Sequence, residues 1–400
     1  MDALTRRRFL LLTGAGAVAA AGAGVGWSTL ARRAQTDPLP PGAGVLVVLT
    51  LYGGNDGLNT VVPAGDPAYQ RARPELAYAE HELLPLADGL GLNPGMTGLK
   101  KRWDDGTLAI VRGVSYPKPD HSHFRSMAIW QTASPDTAVP TGWLGRWLDA
   151  NGADPLLAVS LEPVLPPMLA GATTAGAALP VGGLKLPDGP LGSAFATLGG
   201  TVTDEPGPQA AAARAIADLH REASTLGPAL NDEGSKKRGD GGALAAQLDV
   251  VANCVEMGVP TRVYSVSIGG FDTHADERGT QQQLLTEVDT AMTGFLDRMA
   301  RSDRGHNVVL LAYSEFGRRV AANANQGTDH GTAGPVFVAG SAVRGGFLGE
   351  QPSLTDLDNG DLKPTTDFRD VYATMLAGVL GADPERVLGA GRHTLPILAA

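Results

Sequence analysis

The run VLVVLTL, Val45 to Leu51, decides the fold class of this 400-residue chain. It consists of valine and leucine with one threonine, and glycine residues stand on both sides of it. A continuous apolar run of this length is typical of a strand that is buried on both faces of a sheet. The run therefore predicts a central strand between two layers of helices.

Similar strands alternate with helical patterns along the rest of the chain. Strands are predicted at 108–114, 262–268, 307–313 and 335–339, and helices at about 124–132, 242–257, 280–300 and 368–380. This alternation is typical of a mostly parallel sheet. We therefore predict one α/β domain over residues 36–400, with a mostly parallel central sheet and helices on both faces. Residues 134–241 show weak periodicity in their first part and are predicted to be an insertion that caps the core.

The N-terminus has the layout of an export signal. Paired arginines in TRRRF at 5–9 precede an apolar run at 12–25 and a polar stretch that ends near residue 35. We predict a twin-arginine signal peptide over residues 1–35, the Tat translocase as a partner, and a periplasmic or extracellular location. The alternative is a permanent anchor, in which the uncleaved signal holds the protein on the membrane. The apolar run is short of the roughly 20 strongly apolar residues that a membrane span needs.

Composition excludes some classes of function. The net charge of −10, with no basic run interleaved with aromatic residues after residue 33, argues against a nucleic-acid partner. Cys254 is the only cysteine, so the chain forms no internal disulfide. It stands in an apolar helical pattern, which predicts a buried and unreactive thiol.

Acidic residues and histidines cluster where the predicted strands end or begin. The segments read GGNDG at 53–57, DHSHF at 120–124, GGFDTH at 269–274, SEFGR at 314–318 and TDHG at 328–331. Ligands of open parallel sheets bind beyond the carboxyl ends of the strands. Carboxylates and neutral imidazoles together suit a divalent ion such as zinc, manganese, magnesium or calcium.

Each candidate ligand also has a structural explanation. Asp272 and His274 can face one ion, because alternate residues of an extended segment share a face, but they could instead form a turn before the next helix. Asp56 stands in the turn-forming sequence Asn-Asp-Gly. His330 is the least turn-like of the set. Glu315 follows a buried strand, where it either binds a cation or pairs with a neighbouring arginine, Arg318 or Arg319.

Ser122 is predicted at a helix N-terminus between two histidines. A hydroxyl in this position combines a nucleophile with groups that stabilise an anion. In that case Arg125 or His123 would stabilise the developing negative charge. The structural alternative is that Ser122 caps the helix.

The assembled motifs resemble a bacterial family described as a domain of unknown function, DUF1501. Besides the twin-arginine signal, six segments that span nearly the whole mature chain carry the resemblance. They are LYGGNDGLN at 51–59, HSHFRSMAIWQTA at 121–133, FDTH at 271–274, AYSEFGR at 312–318, DHGTAGPVFVAG at 329–340 and TTDFRDVYATMLAGVLG at 365–381.

That family is similar in fold to the alkaline phosphatase and sulfatase superfamily, whose members bind one or two divalent metals. The resemblance implies that Ser122 is the nucleophile and that five residues are metal ligands: Asp56, Asp272, His274, Glu315 and His330. Two departures stand out. Phe316 occupies the place of a histidine, and the middle Asp and His are two residues apart where the zinc phosphatases of the superfamily have them four apart, with Asp276 at the fourth position. A single metal, or a site without catalysis, is therefore an alternative to a two-metal centre.

The sequence thus predicts an exported, metal-dependent hydrolase of phosphate or sulfate esters, with a small anionic ester or a polymer as substrate. The alternative is an exported binding or assembly protein that keeps the fold without the chemistry, and Phe316 favours it. A serine esterase is disfavoured because the chain has no Gly-x-Ser-x-Gly sequence.

Overall fold

The computed structural model describes residues 27–398, except residues 153, 163, 180 and 182–241. Residues 1–26 of the predicted signal peptide therefore lie outside the described residues, as does much of the predicted insertion at 134–241. In the described part of the chain, no helix is both long enough and apolar enough to cross a membrane.

Helices and strands alternate as the sequence predicts. The helices are α1 Trp27–Thr36, α2 Pro67–Ala72, α3 Thr97–Asp104, α4 His123–Thr132, α5 Trp143–Ala150, α6 Gly242–Met257, α7 Glu277–Arg301, α8 Phe368–Gly378 and α9 Pro384–Leu388. The strands are β1 Val45–Leu51, β2 Val61–Val62, β3 Leu84–Pro85, β4 Gly91–Leu92, β5 Leu108–Ser115, β6 Ala158–Ser160, β7 Ala177–Ala178, β8 Val263–Ile268, β9 Val308–Tyr313, β10 Arg318–Ala322, β11 Thr328–His330, β12 Gly334–Ala339, β13 Gly346–Leu348, β14 Leu357–Asp358, β15 Asp361–Leu362 and β16 Thr366–Asp367.

The central sheet has nine strands within the described residues, in the order β13-β5-β12-β9-β1-β8-β6-β7, with β16 also paired to β5. Strand β1 pairs in parallel with β8 and β9. Strand β12 is antiparallel to both of its neighbours, β5 and β9. The other pairs of this sheet are parallel, which confirms the predicted α/β fold class.

Strand β1 is buried along its whole length, as its apolar run predicts. Val45, Val47 and Leu49 point into one hydrophobic core, where α6 and α7 cover the sheet. Leu46 and Val48 point into a second core on the opposite face, which α4, α5 and α8 help to form. Each face of the strand thus has its own helical layer, because successive side chains of a strand point to opposite faces.

The direction of β12 matters for the site. Because β12 runs against its neighbours, its first residue lies at the edge of the sheet where the parallel strands end. The small antiparallel sheet of β10 and β11 connects the end of β9 to the start of β12 along this edge. Residues before β12 therefore meet residues that follow β1, β8 and β9.

The described part of the predicted insertion contributes to the central domain. Strands β6 and β7 extend the sheet beyond β8. Helix α5 buries Trp143 and Trp147 in the second core. On the other face, Cys254 of α6 is fully buried, and burial raises its pKa to about 12, so the thiol stays protonated.

Candidate metal centre

Four side chains meet at the edge of the sheet where the parallel strands end. Asp272 and His274 lie on the loop after β8, His330 ends β11, and His123 begins α4. A carboxylate oxygen of Asp272 lies 2.9 Å from Nε2 of His274 and 3.1 Å from Nε2 of His330. The other carboxylate oxygen lies 3.5 Å from Nε2 of His123. The structure thus brings together three of the predicted ligands and adds His123 to them.

The backbone sets the orientation of His330. Its Nδ1 lies 2.7 Å from the carbonyl oxygen of His121, which can only accept a hydrogen bond, so Nδ1 carries the proton. Burial lowers the pKa of His330, although the hydrogen bonds to Asp272 and His121 partly oppose this effect. A neutral ring with its proton on Nδ1 has its lone pair on Nε2, the atom that faces Asp272. This is the tautomer of a metal ligand bound through Nε2.

A buried carboxylate orients His123 in the same way. Nδ1 of His123 lies 2.8 Å from Oε1 of Glu315, a residue that is only 2% exposed. Donation from Nδ1 to the carboxylate leaves the lone pair of the neutral ring on Nε2. That nitrogen is buried and has no hydrogen-bond partner. A buried polar atom without a partner costs free energy, and a bound cation would supply the missing interaction.

Glu315 itself supports the centre from outside it. Its carboxylate accepts hydrogen bonds from the backbone N–H of Gly53 at 2.9 Å and from the hydroxyl of Ser314 at 3.1 Å, besides the bond with His123. The sequence left two options, a cation or a neighbouring arginine, and the structure pairs Glu315 with a histidine instead. Carboxylate–histidine pairs of this kind orient metal ligands.

The donor set fits one divalent transition metal. One ligand atom each of His123, Asp272 and His330 lies within 4.8 Å of the other two. Nε2 of His274 lies 2.9 Å from Nε2 of His330. Adjacent ligands that bind one ion at about 2.1 Å lie about 3 to 3.4 Å apart, which is close to the separations among Asp272, His274 and His330. Three imidazoles with one carboxylate suit zinc, copper, iron or nickel better than magnesium or calcium, which prefer oxygen.

Asp272 is held in its ionised form. Burial alone would raise the pKa of Asp272, but the hydrogen bond from Arg318 and the charge of Arg318 lower it to about 2. The Arg318 guanidinium lies 2.8 Å from the carboxylate. The carboxylate is therefore available as an anionic ligand at any pH near neutrality.

The ring of Phe316 forms an apolar wall beside the centre. Its centroid lies 4.9 Å from that of His123 and 4.8 Å from that of His330. Gly54 makes room for it, since a Cβ at that position would lie 2.1 Å from the ring. An aromatic ring donates no metal ligand, so the space that Phe316 fills offers nothing to a second ion.

Ser122 caps α4, as the structural alternative predicts. Its hydroxyl oxygen accepts a hydrogen bond from the backbone N–H of Arg125 at 3.5 Å. The side chain is exposed, and that of Arg125 is partly exposed. Within the described residues, no hydrogen bond joins the Ser122 hydroxyl to the four clustered side chains. The residue is nevertheless adjacent in sequence to His123 and to His121, whose carbonyl holds His330.

Asp56 lies apart from this cluster. It is 1% exposed and forms an ion pair with the buried Arg73, with one N–O contact at 3.1 Å and a second, closer one. It also accepts the backbone N–H of Leu58 at 3.1 Å. Burial alone would raise the pKa of Asp56, and the charge of Arg73 outweighs this and lowers it. The loop after β1 directs the carboxylate into the protein, and the structure does not bring Asp56 to the other predicted ligands.

Glu277 is a second acid in this buried network. It is 0% exposed, and one of its oxygens accepts the hydroxyl of Thr328 at 2.6 Å. Burial and the neighbouring Asp56 raise the pKa of Glu277 to about 9. Its other oxygen has no partner when ionised, but a protonated Glu277 can donate to Asp56. The two acids therefore share one proton beside Arg73 at neutral pH.

We expect Glu277→Gln to flatten the pH dependence of stability. A carboxyl whose folded pKa is about 9 and whose ordinary pKa is 4.5 stabilises the fold below pH 4.5, and this contribution is lost as the pH rises to 9. The wild type should therefore lose up to about 1.4 kcal/mol of unfolding free energy per pH unit relative to the glutamine variant. Urea unfolding of both proteins between pH 5 and pH 9 measures this difference. Parallel profiles would show that Glu277 is ionised in the fold.

Sequence reasoning missed the roles of two residues at the centre. His123 was expected to stabilise charge during catalysis, and its imidazole instead faces the clustered ligands. Arg318 was considered only as a partner of Glu315, and it pairs with Asp272. The sequence did hold a signal for both, since His123 is adjacent to Ser122 and Arg318 comes three residues after Glu315, in segments that follow strands of the central sheet.

The comparisons with known proteins support the resemblance. A family model described as "Protein of unknown function (DUF1501)" matches residues 203–394, a range that contains Asp272, His274 and His330. This match confirms the family resemblance predicted from the motifs. No curated protein matches the chain.

Two solved structures are similar to this one over most of the chain. A crystal structure described as a protein in the alkaline phosphatase superfamily from Vibrio parahaemolyticus is 11% identical, with 94% of this chain and 78% of that chain covered and a TM-score of 0.42. The lipoteichoic acid synthase LtaP from Listeria monocytogenes is 10% identical, with coverages of 96% and 82% and a TM-score of 0.40. At these TM-scores, the similarity carries no information about activity.

Proposed function

We propose that this chain is a metal-dependent hydrolase of phosphate or sulfate esters with one divalent ion in its active site. Four side chains would hold the ion: His123, Asp272, His274 and His330. The observation that carries the proposal is the arrangement of two imidazoles, in His123 and His330, whose Nδ1 atoms are engaged elsewhere and whose Nε2 atoms face the Asp272 carboxylate. Such outer hydrogen bonds are typical of histidines that bind a metal.

The centre can serve hydrolysis of an anionic ester. A divalent ion bound there would act as a Lewis acid on an ester oxygen and lower the pKa of an attacking group. The exposed N-terminus of α4 attracts a negatively charged group, because its free N–H groups and the helix dipole point toward it. The side chain of Arg125 lies on the first turn of the same helix. With a net charge of −10, the protein as a whole repels anions, so attraction must be local.

Ser122 is the proposed nucleophile. Its hydroxyl stands at the N-terminus of α4 and is open to solvent. In the proposed reaction, Oγ would lose its proton and bond to the phosphorus or sulfur atom, while the ester oxygen departs on the opposite side and takes up a proton to leave as the alcohol. Water would then attack the phosphorus or sulfur atom of the seryl ester, which releases phosphate or sulfate and restores the hydroxyl of Ser122. Arg125 would stabilise the negative charge on the transferred group.

Export by the twin-arginine route remains part of the proposal. The arginine pair in TRRRF at 5–9, followed by an Ala/Gly-rich apolar run, supports the Tat translocase as a partner and a periplasmic or extracellular location. This route carries folded proteins, so an ion bound in the cytoplasm could travel with the chain.

Metal analysis of the purified mature protein tests the proposal most directly. We expect about one divalent ion per chain, zinc by preference among the predicted ions, because the donor set is three imidazoles and one carboxylate. Turnover of aryl phosphate and aryl sulfate esters should be lost after chelation and restored by the ion. A protein that binds no divalent ion, and hydrolyses neither ester, would refute the proposal.

A non-catalytic exported protein is the second candidate. The observation that favours it is Phe316, which fills the space beside His123 and His330 with an apolar ring. Under this reading the ion would only link α4, the loop after β8 and β11. Ser122→Ala separates the two, because it should abolish ester hydrolysis by an enzyme while leaving the metal content unchanged. A Ser122→Ala protein with the hydrolysis rate of the wild type would exclude the serine mechanism.

A further inference from the structure

Arg318 is the first residue of β10, and its fully buried side chain pairs with Asp272. Its guanidinium donates hydrogen bonds to five oxygen atoms. These are the carbonyl oxygens of Gly54 at 2.6 Å, Gly53 at 2.5 Å, Thr328 at 2.9 Å and Phe271 at 3.0 Å, and a carboxylate oxygen of Asp272 at 2.8 Å.

The acceptors belong to three separate segments that carry the centre. Residues 53–54 follow β1 and include the N–H that holds Glu315. Residues 271–272 follow β8 and include one of the ligands. Thr328 begins β11, which ends two residues later in His330. One side chain thus fixes the spacing between the segments that hold or support all four ligands.

Only arginine has the geometry for this task. A guanidinium is a planar fork of N–H donors that can reach acceptors in several directions. A lysine ammonium carries the same charge, but its donors radiate from one nitrogen atom and cannot span the three segments. Four of the five acceptors are loop or strand-end carbonyls, and leaving them unpaired in the interior would be costly.

We propose that Arg318 is the positioning residue of the metal centre, which holds the carboxylate of Asp272 and the segment of His330 at the spacing that one ion requires. The inference rests on the proposed function, because it presumes that the cluster binds an ion. In this role Arg318 touches neither ion nor substrate, and it acts through Asp272 and through the backbone.

Arg318 has two opposing effects on a bound cation. Its geometry favours binding by holding the ligands in place, and its positive charge disfavours binding by repulsion. A variant that removes the charge would mix these effects. Arg318→Lys keeps the charge and removes the planar fork, so its effect on metal affinity reports the positioning role alone.

Arg73 provides a matched control. Its side chain is also 0% exposed, and it pairs with a carboxylate, that of Asp56. It also donates to two backbone carbonyls, of Arg319 at 2.6 Å and of Val320 at 2.8 Å. In the described structure, it makes no hydrogen bond to any of the four proposed ligands. Arg73→Lys should therefore cost stability for the same physical reasons and leave metal affinity unchanged.

The test is a Co²⁺ titration of the metal-free mature protein, followed by visible absorption, with thermal unfolding of the same samples. We expect Arg318→Lys to weaken Co²⁺ binding about 10- to 100-fold and to change the absorption bands of the bound ion. Arg73→Lys should bind Co²⁺ like the wild type, although both variants melt at a lower temperature. Equal affinities and spectra for the two variants would overturn the proposal.

Two further outcomes are also decisive. If the wild type binds no Co²⁺, the proposed function is wrong. If the wild type and both lysine variants bind Co²⁺ with equal affinity, only the proposed role of Arg318 is wrong. If Arg318→Lys does not fold, Arg318→Gln replaces it, because the amide keeps a planar donor and removes the charge. Loss of the positive charge alone would strengthen Co²⁺ binding. Weaker Co²⁺ binding by Arg318→Gln than by the wild type would therefore support the positioning role. Equal or tighter binding would overturn it.

Discussion

His330→Ala is expected to abolish tight binding of a divalent ion and, with it, ester hydrolysis. The substitution removes the Nε2 lone pair of His330. This lone pair faces Asp272 because Nδ1 donates its hydrogen bond to the carbonyl of His121. Loss of a partner of a ligand typically costs about 10- to 100-fold in metal affinity, so loss of a ligand should cost more than about 100-fold. A competition titration with a chelator of known affinity measures the change.

His81→Ala is the control for this experiment. His81 is exposed on a short 3-10 turn, and in the described structure it makes no hydrogen bond or ion pair with the four proposed ligands. This variant should bind the ion and hydrolyse the ester like the wild type. If His330→Ala keeps wild-type metal affinity while folding normally, His330 is not a ligand, and the proposed centre is wrong.

Glu315→Gln is expected to weaken metal binding about 10- to 100-fold without removing any ligand. The N–H of Gly53 and Nδ1 of His123 both contact Oε1 of Glu315, so a glutamine oxygen in that place can still accept both hydrogen bonds. The substitution instead removes the negative charge. A carboxylate partner raises the basicity of a metal-binding imidazole more than a neutral amide does, so Nε2 of His123 should bind the ion less tightly. Metal titration measures the affinity, and the nitrogen chemical shifts of His123 show whether its hydrogen bond is kept.

Glu350→Gln makes the same chemical change at an exposed position of the chain. It should alter neither the affinity nor the shifts of His123. A Glu315→Gln protein with the metal affinity of the wild type would show that the charge of Glu315 does not strengthen the centre.

The architecture could be predicted from the sequence because apolar runs and helical patterns are properties of short segments. The buried run at 45–51 requires helices on both faces, and the structure has them. The helix predicted to start at about residue 280 begins instead at Glu277, whose side chain is buried and protonated. A glutamate does not by itself predict a buried first turn of a helix. The protonation that allows Glu277 to be buried depends on Asp56 and Arg73, which are distant in sequence.

The site was predictable where it depended on strand ends. The rule that ligands bind beyond the carboxyl ends of parallel strands selected Asp272, His274 and His330, and they do lie together. The rule also selected Asp56, which lies apart from these residues. Asp56 pairs instead with Arg73, which is 17 residues away on a different element. The role of His123 depends on Glu315, which is 192 residues away in sequence, and no local pattern reports such a pair.

The separation of these residues along the chain has a consequence for folding kinetics. His274 and His330 are 56 residues apart, and the His123–Glu315 pair closes a loop of 192 residues. Contacts of such high sequence separation form late, since the loop-closure entropy must be overcome first. The reversed strand β12 must also pair before His330 reaches its place. A bound ion would therefore mark a chain that has finished folding, and its uptake would be the last step of maturation.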